Sequence, residues 1–144
     1  MPHFTYEYSA NLDGRLNHTA LCHRIFETAI ATGFFEVGAV RVRAVRCEHY
    51  HVADALPENA FLDLSLRMGQ GRADADRAAI GEALFAALQD ELANQLATPH
   101  FALSFEIREI QSAYSWKKNA IHPRVRAAGA ARDATDDATD GDLS

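Results

Sequence analysis

The sequence of 144 residues has little cysteine and no long hydrophobic run. Its two cysteines, Cys22 and Cys47, are too few for the disulfide framework of a small secreted domain. Charged residues interrupt every apolar stretch well before the roughly 20 residues needed to cross a bilayer. The start, MPHFTYEY, has neither the basic nor the apolar region of a secretory signal. We therefore expect a cytoplasmic protein that has no membrane partner.

Positive charge is also scarce. The chain has 14 Lys and Arg against 20 Asp and Glu, which gives a formal net charge of -6. Domains that bind nucleic acid carry a basic surface, so this balance argues against a nucleic-acid partner. Residues 127–144 hold five aspartates, one arginine and almost no large apolar residue. We expect one domain over residues 1–126, followed by an acidic, disordered tail over residues 127–144.

The periodicity of the apolar residues predicts two successive β-α-β units. The predicted elements are a strand at 3–8, a helix from about 16 to 33, a strand at 37–50, a strand at 61–68, a helix at about 74–96 and a strand at 101–110. Together they predict an α/β (α+β) fold in which a four-stranded sheet carries two helices on one face. We expect the other face to expose apolar and aromatic side chains and to favour symmetric association. Residues 111–125 show no clear period and are interpreted as an arm that packs on the body or on a neighbouring subunit.

Pro2 is the first candidate for chemistry. Removal of Met1 would leave a secondary amine at the chain terminus, which no other standard residue supplies. An α-amino group titrates near about 7.7–8.0, and apolar surroundings and nearby cations both lower its pKa. Such an amine is a candidate general base at neutral pH. Proline after the initiator methionine is also common in proteins where it has no role, so this residue alone leaves both interpretations open.

Four segments carry a resemblance to a known family. They are MPHFTYEYSAN at the start, ATGFFEVGAVRVR at 31–43, LSLRMGQGR at 64–72 and LSFEIREI at 103–110. Together they resemble the 5-carboxymethyl-2-hydroxymuconate isomerase family, over roughly residues 2–126. That family belongs to the tautomerase superfamily, whose members use an amino-terminal proline as acid and base. The resemblance implies a catalytic Pro2, a tautomerase-like fold and a homotrimer.

The resemblance also implies substrate-binding roles for Arg41 and Arg72, with Arg43 beside the first. Arginines on strands and loops are ordinarily solvated or paired with a carboxylate. A guanidinium group, however, binds a carboxylate through two parallel hydrogen bonds, which lysine does less well. In a chain of net negative charge, a local arginine cluster would attract a small polycarboxylate substrate. In a trimer, some of these arginines could serve the Pro2 of a neighbouring subunit.

The implied reaction converts the dienol 5-carboxymethyl-2-hydroxymuconate to its 2-oxo isomer, in the degradation of homoprotocatechuate and 4-hydroxyphenylacetate. The Pro2 amine would take a proton from the 2-hydroxyl group and return one to a distal carbon, while arginines stabilise the dienolate. We expect this isomerase to need no cofactor. Gly69 and Gly71 lack the rest of a dinucleotide-binding motif and predict only a turn.

A metal site is the competing interpretation of another cluster. Cys47, His49 and His51 would share one strand face if the second strand reached residue 51, and they would then present metal ligands. We favour a strand that ends earlier, with solvated histidines, and predict no metal. Two other functions stay open: a tautomerase or dehalogenase acting on another small enol or haloacid, and a non-catalytic trimer that binds an anion.

Overall fold

The computed structural model describes residues 1–140. The helices and strands are, in chain order, β1 (His3–Ser9), α1 (His18–Ala31), β2 (Arg41–Cys47), β3 (Ala60–Gly69), α2 (Asp74–Glu91), α3 (Ala93–Leu96), β4 (Phe101–Ile110) and α4 (Ile121–Asp140). The strands form one sheet in the order β2-β1-β3-β4. β1 and β2 are parallel, as are β3 and β4, whereas β1 and β3 are antiparallel. The predicted pair of β-α-β units in a four-stranded sheet is confirmed.

Strict alternation along β1 and β3 creates the core, because successive side chains of a strand point to opposite faces. The buried side chains of these strands are Phe4, Tyr6, Tyr8, Leu62, Leu64, Leu66 and Met68. The helices cover them with residues at helical spacing, which are Leu21, Ile25 and Ala29 of α1 and Ile80, Leu84 and Leu88 of α2. Each large side chain buried here contributes about 1.5–3 kcal/mol. The sheet is therefore fixed rigidly beneath the two helices.

The face of the sheet away from α1 and α2 is called here the open face. The expectation that this face is apolar and aromatic was wrong. The aromatic and aliphatic positions of β1 and β3 are the ones that face the helices, so the alternate positions remain for the open face. One row of directly opposed residues crosses all four strands as Arg41, His3, Arg67 and Arg108. The open face is thus mainly polar and charged.

The observed β2 is shorter than the predicted strand at 37–50. Residues 37–39 form a turn of 3-10 helix, and the strand ends at Cys47. Backbone with positive φ follows at Ala53 and Ala55, as part of the loop to β3. The predicted second helix is also divided, because Leu92, with φ -102° and ψ 18°, separates α2 from α3. Asp74 lies in the first turn of α2, and the capping position is Ala73.

Residues 127–140 are helical, where the sequence predicted a disordered tail. α4 passes through residue 126 without a break and continues to Asp140. Alanine has the highest helix propensity of all residues, and this segment is rich in it. Residues 141–144, the rest of the expected tail, lie outside the described part of the chain. Within the described residues, none of the helices has the length and apolar character needed to span a membrane.

Candidate functional site

A cavity of about 410 Å³ lies beside the amino terminus. Its lining includes Pro2, Phe35, Arg72, Lys117 and His122. Pro2 is buried, and its carbonyl oxygen accepts a hydrogen bond from the Arg41 backbone N–H at 3.3 Å. Because β1 is a central strand and begins at residue 3, the sheet holds residue 2 in a fixed position at the cavity wall.

The surroundings of the amino terminus favour an uncharged amine. Partial burial lowers the pKa of the terminal ammonium group, and the charges of Lys117, Arg41 and Arg72 lower it further. Both effects act against the protonated form. The terminal amine in this structure belongs to Met1, and Pro2 follows one Cα step inward, about 3.8 Å away. A Pro2 amine formed by removal of Met1 would therefore lie among the same three cations.

Arg72 is held in the cavity by neutral groups. Gly71, with φ +105°, turns the chain so that the Arg72 guanidinium reaches the Phe34 carbonyl oxygen, to which Nη2 donates at 3.1 Å. The guanidinium carbon lies 5.0 Å from the centre of the Phe35 ring, which in turn packs edge-on against Phe4. No carboxylate of the described residues forms an ion pair with Arg72. Its charge therefore remains available to an anion in the cavity.

Arg41 and Arg43 lie two residues apart on β2, and their pairing with His3 and Thr5 of β1 puts both on the open face. Arg41 Nη1 donates to the Ala39 carbonyl oxygen at 3.0 Å, and Ala39 lines the cavity. Arg43 Nη1 lies 3.5 Å from His3 Nδ1. The structure thus brings Pro2 and Arg72 together and places Arg41 beside them. Arg43 lies further along the open face, outside the cavity.

One wall of the cavity comes from residues 111–125, which the sequence analysis interpreted as an arm that packs on the body but did not assign to the site. Lys117, Asn119 and His122 lie on this wall. The Asn119 side chain donates to the Gly38 carbonyl oxygen at 2.9 Å and accepts hydrogen bonds from the backbone N–H groups of Ile121 and His122. It therefore joins the start of α4 to the turn at 37–39. An asparagine ahead of a helix is a typical capping signal, but it does not indicate which surface the helix will meet.

The carboxylate in the cavity wall, Glu36, is neutralised by α4. Arg126 binds both of its oxygens, at 2.8 and 2.7 Å, and His122 Nε2 lies 3.2 Å from Oε2. The hydrogen bond from Arg126 holds the pKa of the Glu36 carboxyl below its usual range. With its acidic group paired in this way, the cavity presents the charges of Arg72 and Lys117 to a ligand.

Gly38 permits the close approach of α4. A Cβ atom at position 38 would lie 2.8 Å from the His122 Cα atom, which is backbone and cannot rotate away. We predict that Gly38→Ala destabilises the fold by about 1–3 kcal/mol, because α4 must shift to relieve the overlap. Thermal denaturation would measure this loss of stability. The matched control is Gly129→Ala, where no other atom lies within 4 Å and helix propensity rises. Equal stability of the two variants would contradict the proposed contact.

The alternative metal cluster is not assembled on a strand. β2 ends at Cys47, so His49 and His51 do not continue its face. His51 Nε2 instead lies 3.2 Å from the Ala53 carbonyl oxygen, within the following loop. In the part of the chain that the structure describes, no group of three His, Cys, Asp or Glu residues is placed to hold a metal ion.

Comparison with known proteins gives a consistent result. Residues 2–125 match the family described as 5-carboxymethyl-2-hydroxymuconate isomerase. The chain is 31% identical over 122 residues to the 5-carboxymethyl-2-hydroxymuconate Delta-isomerase of Escherichia coli. This alignment covers 85% of this chain and 97% of that protein. A crystal structure of a 5-carboxymethyl-2-hydroxymuconate isomerase from Deinococcus radiodurans R1 superposes with a TM-score of 0.80 at 39% identity, covering 86% of this chain and 93% of that one. A fused 4-OT symmetric trimer, 12% identical with a TM-score of 0.59, shares the fold over 81% of this chain and 93% of that one.

Proposed function

The chain belongs to the 5-carboxymethyl-2-hydroxymuconate isomerase family and is an isomerase, and from this premise we propose that its Pro2 amine performs the proton transfer. The proposed substrate is the dienol 5-carboxymethyl-2-hydroxymuconate, and the product is its 2-oxo isomer. One observation supports this role above the others. The chain terminus lies beside a cavity, partly buried, among three cations that favour its uncharged form.

The proposed reaction moves one proton along a conjugated system. The neutral Pro2 amine takes the proton of the 2-hydroxyl group, and the O–H electrons form the 2-oxo group. The double bonds shift, and the resulting ammonium returns a proton to the distal carbon, C5. Negative charge spreads over the dienolate during the transfer, and in this proposal the guanidinium of Arg72, which lines the cavity, stabilises it. Arg41 lies at the same terminus, and its charge supports the same state.

The test is an ultraviolet ketonisation assay combined with mass spectrometry of the native protein. We expect conversion of the dienol to the 2-oxo isomer by chains that begin at Pro2. Phenylenolpyruvate and a halo-acrylate serve as comparison substrates, which we expect to react more slowly. Purified protein that begins at Pro2 and leaves the dienol unchanged would overturn the proposal.

Lys117 provides a test of the proposed electrostatics. After burial, its charge is the largest cause of the lowered pKa of the terminal amine. The Pro2 amine of a chain without Met1 would lie in the same field, so Lys117→Met should raise its pKa, and the amine would become neutral only at higher pH. We therefore predict that the acidic limb of the kcat/KM profile moves to higher pH. Lys118→Met, at the neighbouring lysine outside the cavity, is the matched control and should leave the limb in place. An unmoved limb in Lys117→Met would argue against Lys117 as a neighbour of the base.

The domain boundary and the assembly are part of the same proposal. The ion pair between Arg126 and Glu36 supports residues 1–126 as the catalytic domain, because side chains from residue 127 to residue 138 are exposed.

We propose a homotrimer in the cytoplasm. The symmetric trimer formed by the fused 4-OT neighbour supports this assembly. Light scattering during size-exclusion chromatography should give three times the chain mass of 15.8 kDa.

A further inference from the structure

A second cavity, of about 370 Å³, lies on the other side of the amino terminus. Its lining includes His3 and Arg67 of the open face together with Trp116. Met1 and Lys117 line both cavities. The two cavities therefore adjoin the same chain terminus, one on each side of Met1 and Lys117.

The register of the sheet gathers cations at this second cavity. His3 lies directly opposite Arg67 on β3 and opposite Arg41 on β2. β1 and β3 are antiparallel, and directly opposed residues of such a pair, here His3 and Arg67, have Cβ atoms about 4.5–5.5 Å apart. Burial lowers the pKa of His3, and the charges of Arg67, Arg43 and Arg41 lower it further. Both effects disfavour the protonated imidazole among these guanidinium groups.

Arg67 has no carboxylate partner among the described residues, unlike its neighbour in the same row. Arg108, directly opposite on β4, donates from Nε to Glu106 Oε1 at 2.8 Å. The arginines that bind acidic groups elsewhere, Arg24, Arg46, Arg77 and Arg126, lie away from this cavity. A cation lining a cavity without a counter-charge is suited to bind an anion there.

We propose that Arg67, with Lys117 beside it, forms a second carboxylate subsite, on the open-face side of Pro2. Arg72 would hold one carboxylate in the first cavity, and Arg67 would hold the additional carboxylate of a tricarboxylate. This inference rests on the proposed function and refines it, because it predicts that the enzyme selects a dienol with three carboxylates over one with two. Removing the 5-carboxymethyl group gives 2-hydroxymuconate, which keeps the reacting atoms and lacks one anionic group.

The experiment compares these two dienols with wild type and Arg67→Met. We expect kcat/KM for the tricarboxylate to fall about 10- to 100-fold, the range for a hydrogen bond to a charged group. The value for 2-hydroxymuconate should change less than about twofold, since it leaves the subsite empty. Arg67→Lys should recover most of the loss, because it retains the charge. The matched control is Arg108→Met in the same row, which should leave both dienols unaffected.

Two results would overturn the subsite. One is an equal loss for both dienols in Arg67→Met, which would mean that the residue supports the fold or the general field. The other is an unchanged kcat/KM for the tricarboxylate. If Arg67→Met fails to fold, as judged by circular dichroism, Arg67→Gln replaces it, with the same two outcomes.

A binding measurement separates this proposal from the proposed function. Trp116, the single tryptophan of the chain, lines the second cavity and is 87% exposed, so its fluorescence can report ligand binding. We expect propane-1,2,3-tricarboxylate to bind wild type more tightly than glutarate, and Arg67→Met to remove the difference. Wild type that turns over neither dienol but shows this difference would refute the reaction and support the subsite. Equal binding of the two acids by wild type would refute the subsite alone.

Discussion

A chain that keeps a residue ahead of Pro2 is expected to lose about 10²- to 10⁴-fold of its dienol ketonisation rate, the usual contribution of a general acid and base. With a residue attached, the Pro2 nitrogen is an amide, which has neither a basic lone pair nor a proton to transfer. The Met1 amine lies one residue further out and cannot occupy the buried position of Pro2. The same cations would still bind the substrate, so KM should change much less than kcat.

This loss can be measured by placing one affinity tag at either end of the chain. A tag at the carboxyl terminus allows Met1 to be removed, whereas a tag at the amino terminus blocks Pro2. Mass spectrometry identifies the first residue in each preparation, and circular dichroism shows whether the fold is retained. Pro2→Ala, which keeps a terminal amine of different basicity, should fall between the two preparations. Equal kcat for the blocked and the free chain would exclude Pro2 as the base.

Replacement of Arg72 is the second change with a large expected effect. Arg72→Leu should lower kcat/KM by about 10²-fold, because it removes a charged donor aimed at the anionic intermediate. It should also raise the pKa of the terminal amine, since the Arg72 charge is one cause of its lowered value. The acidic limb of the kcat/KM profile would then move to higher pH. Arg72→Lys, which keeps the charge but loses the two-pronged geometry, should recover part of the rate.

Arg72 also contacts the Phe34 carbonyl oxygen and the Phe35 ring, so a loss of stability must be measured separately. Thermal denaturation of each variant provides that measurement. Arg15→Leu is the control for loss of one positive charge, because Arg15 does not line this cavity and lies instead at another one, beside Gln95 and His100. A normal rate with an unshifted pH profile in folded Arg72→Leu would remove Arg72 from the proposed mechanism.

The fold was largely predictable because its strongest signals are local. The alternation of Phe4, Tyr6 and Tyr8 identifies both the strand and its buried face, and β4 has the predicted bounds, Phe101–Ile110. The same alternation was applied incorrectly to the open face. Aromatic residues on one face of β1 require the opposite face to carry the intervening residues, which are polar.

The site was predictable only in part, because half of it depends on contacts between distant parts of the sequence. Pro2 and Arg72 were predicted from family-like segments, and the structure places both at one cavity. Lys117 and His122 come from a segment without apolar period. The bonds that position this segment join residues 81 and 90 positions apart, Asn119 with Gly38 and Arg126 with Glu36. No local pattern encodes such pairing.

The three cations around the terminus also connect substrate binding to proton affinity. In the free enzyme, Lys117, Arg41 and Arg72 lower the pKa of the terminal amine and so favour its uncharged form. Carboxylates that bind these cations cancel much of their field, so the proton affinity of the amine rises once the substrate is in place. The same nitrogen is then able to accept the proton of the 2-hydroxyl group and to hold it until its transfer to C5. By reciprocity, the protonated enzyme must bind the polyanion more tightly than the neutral enzyme does.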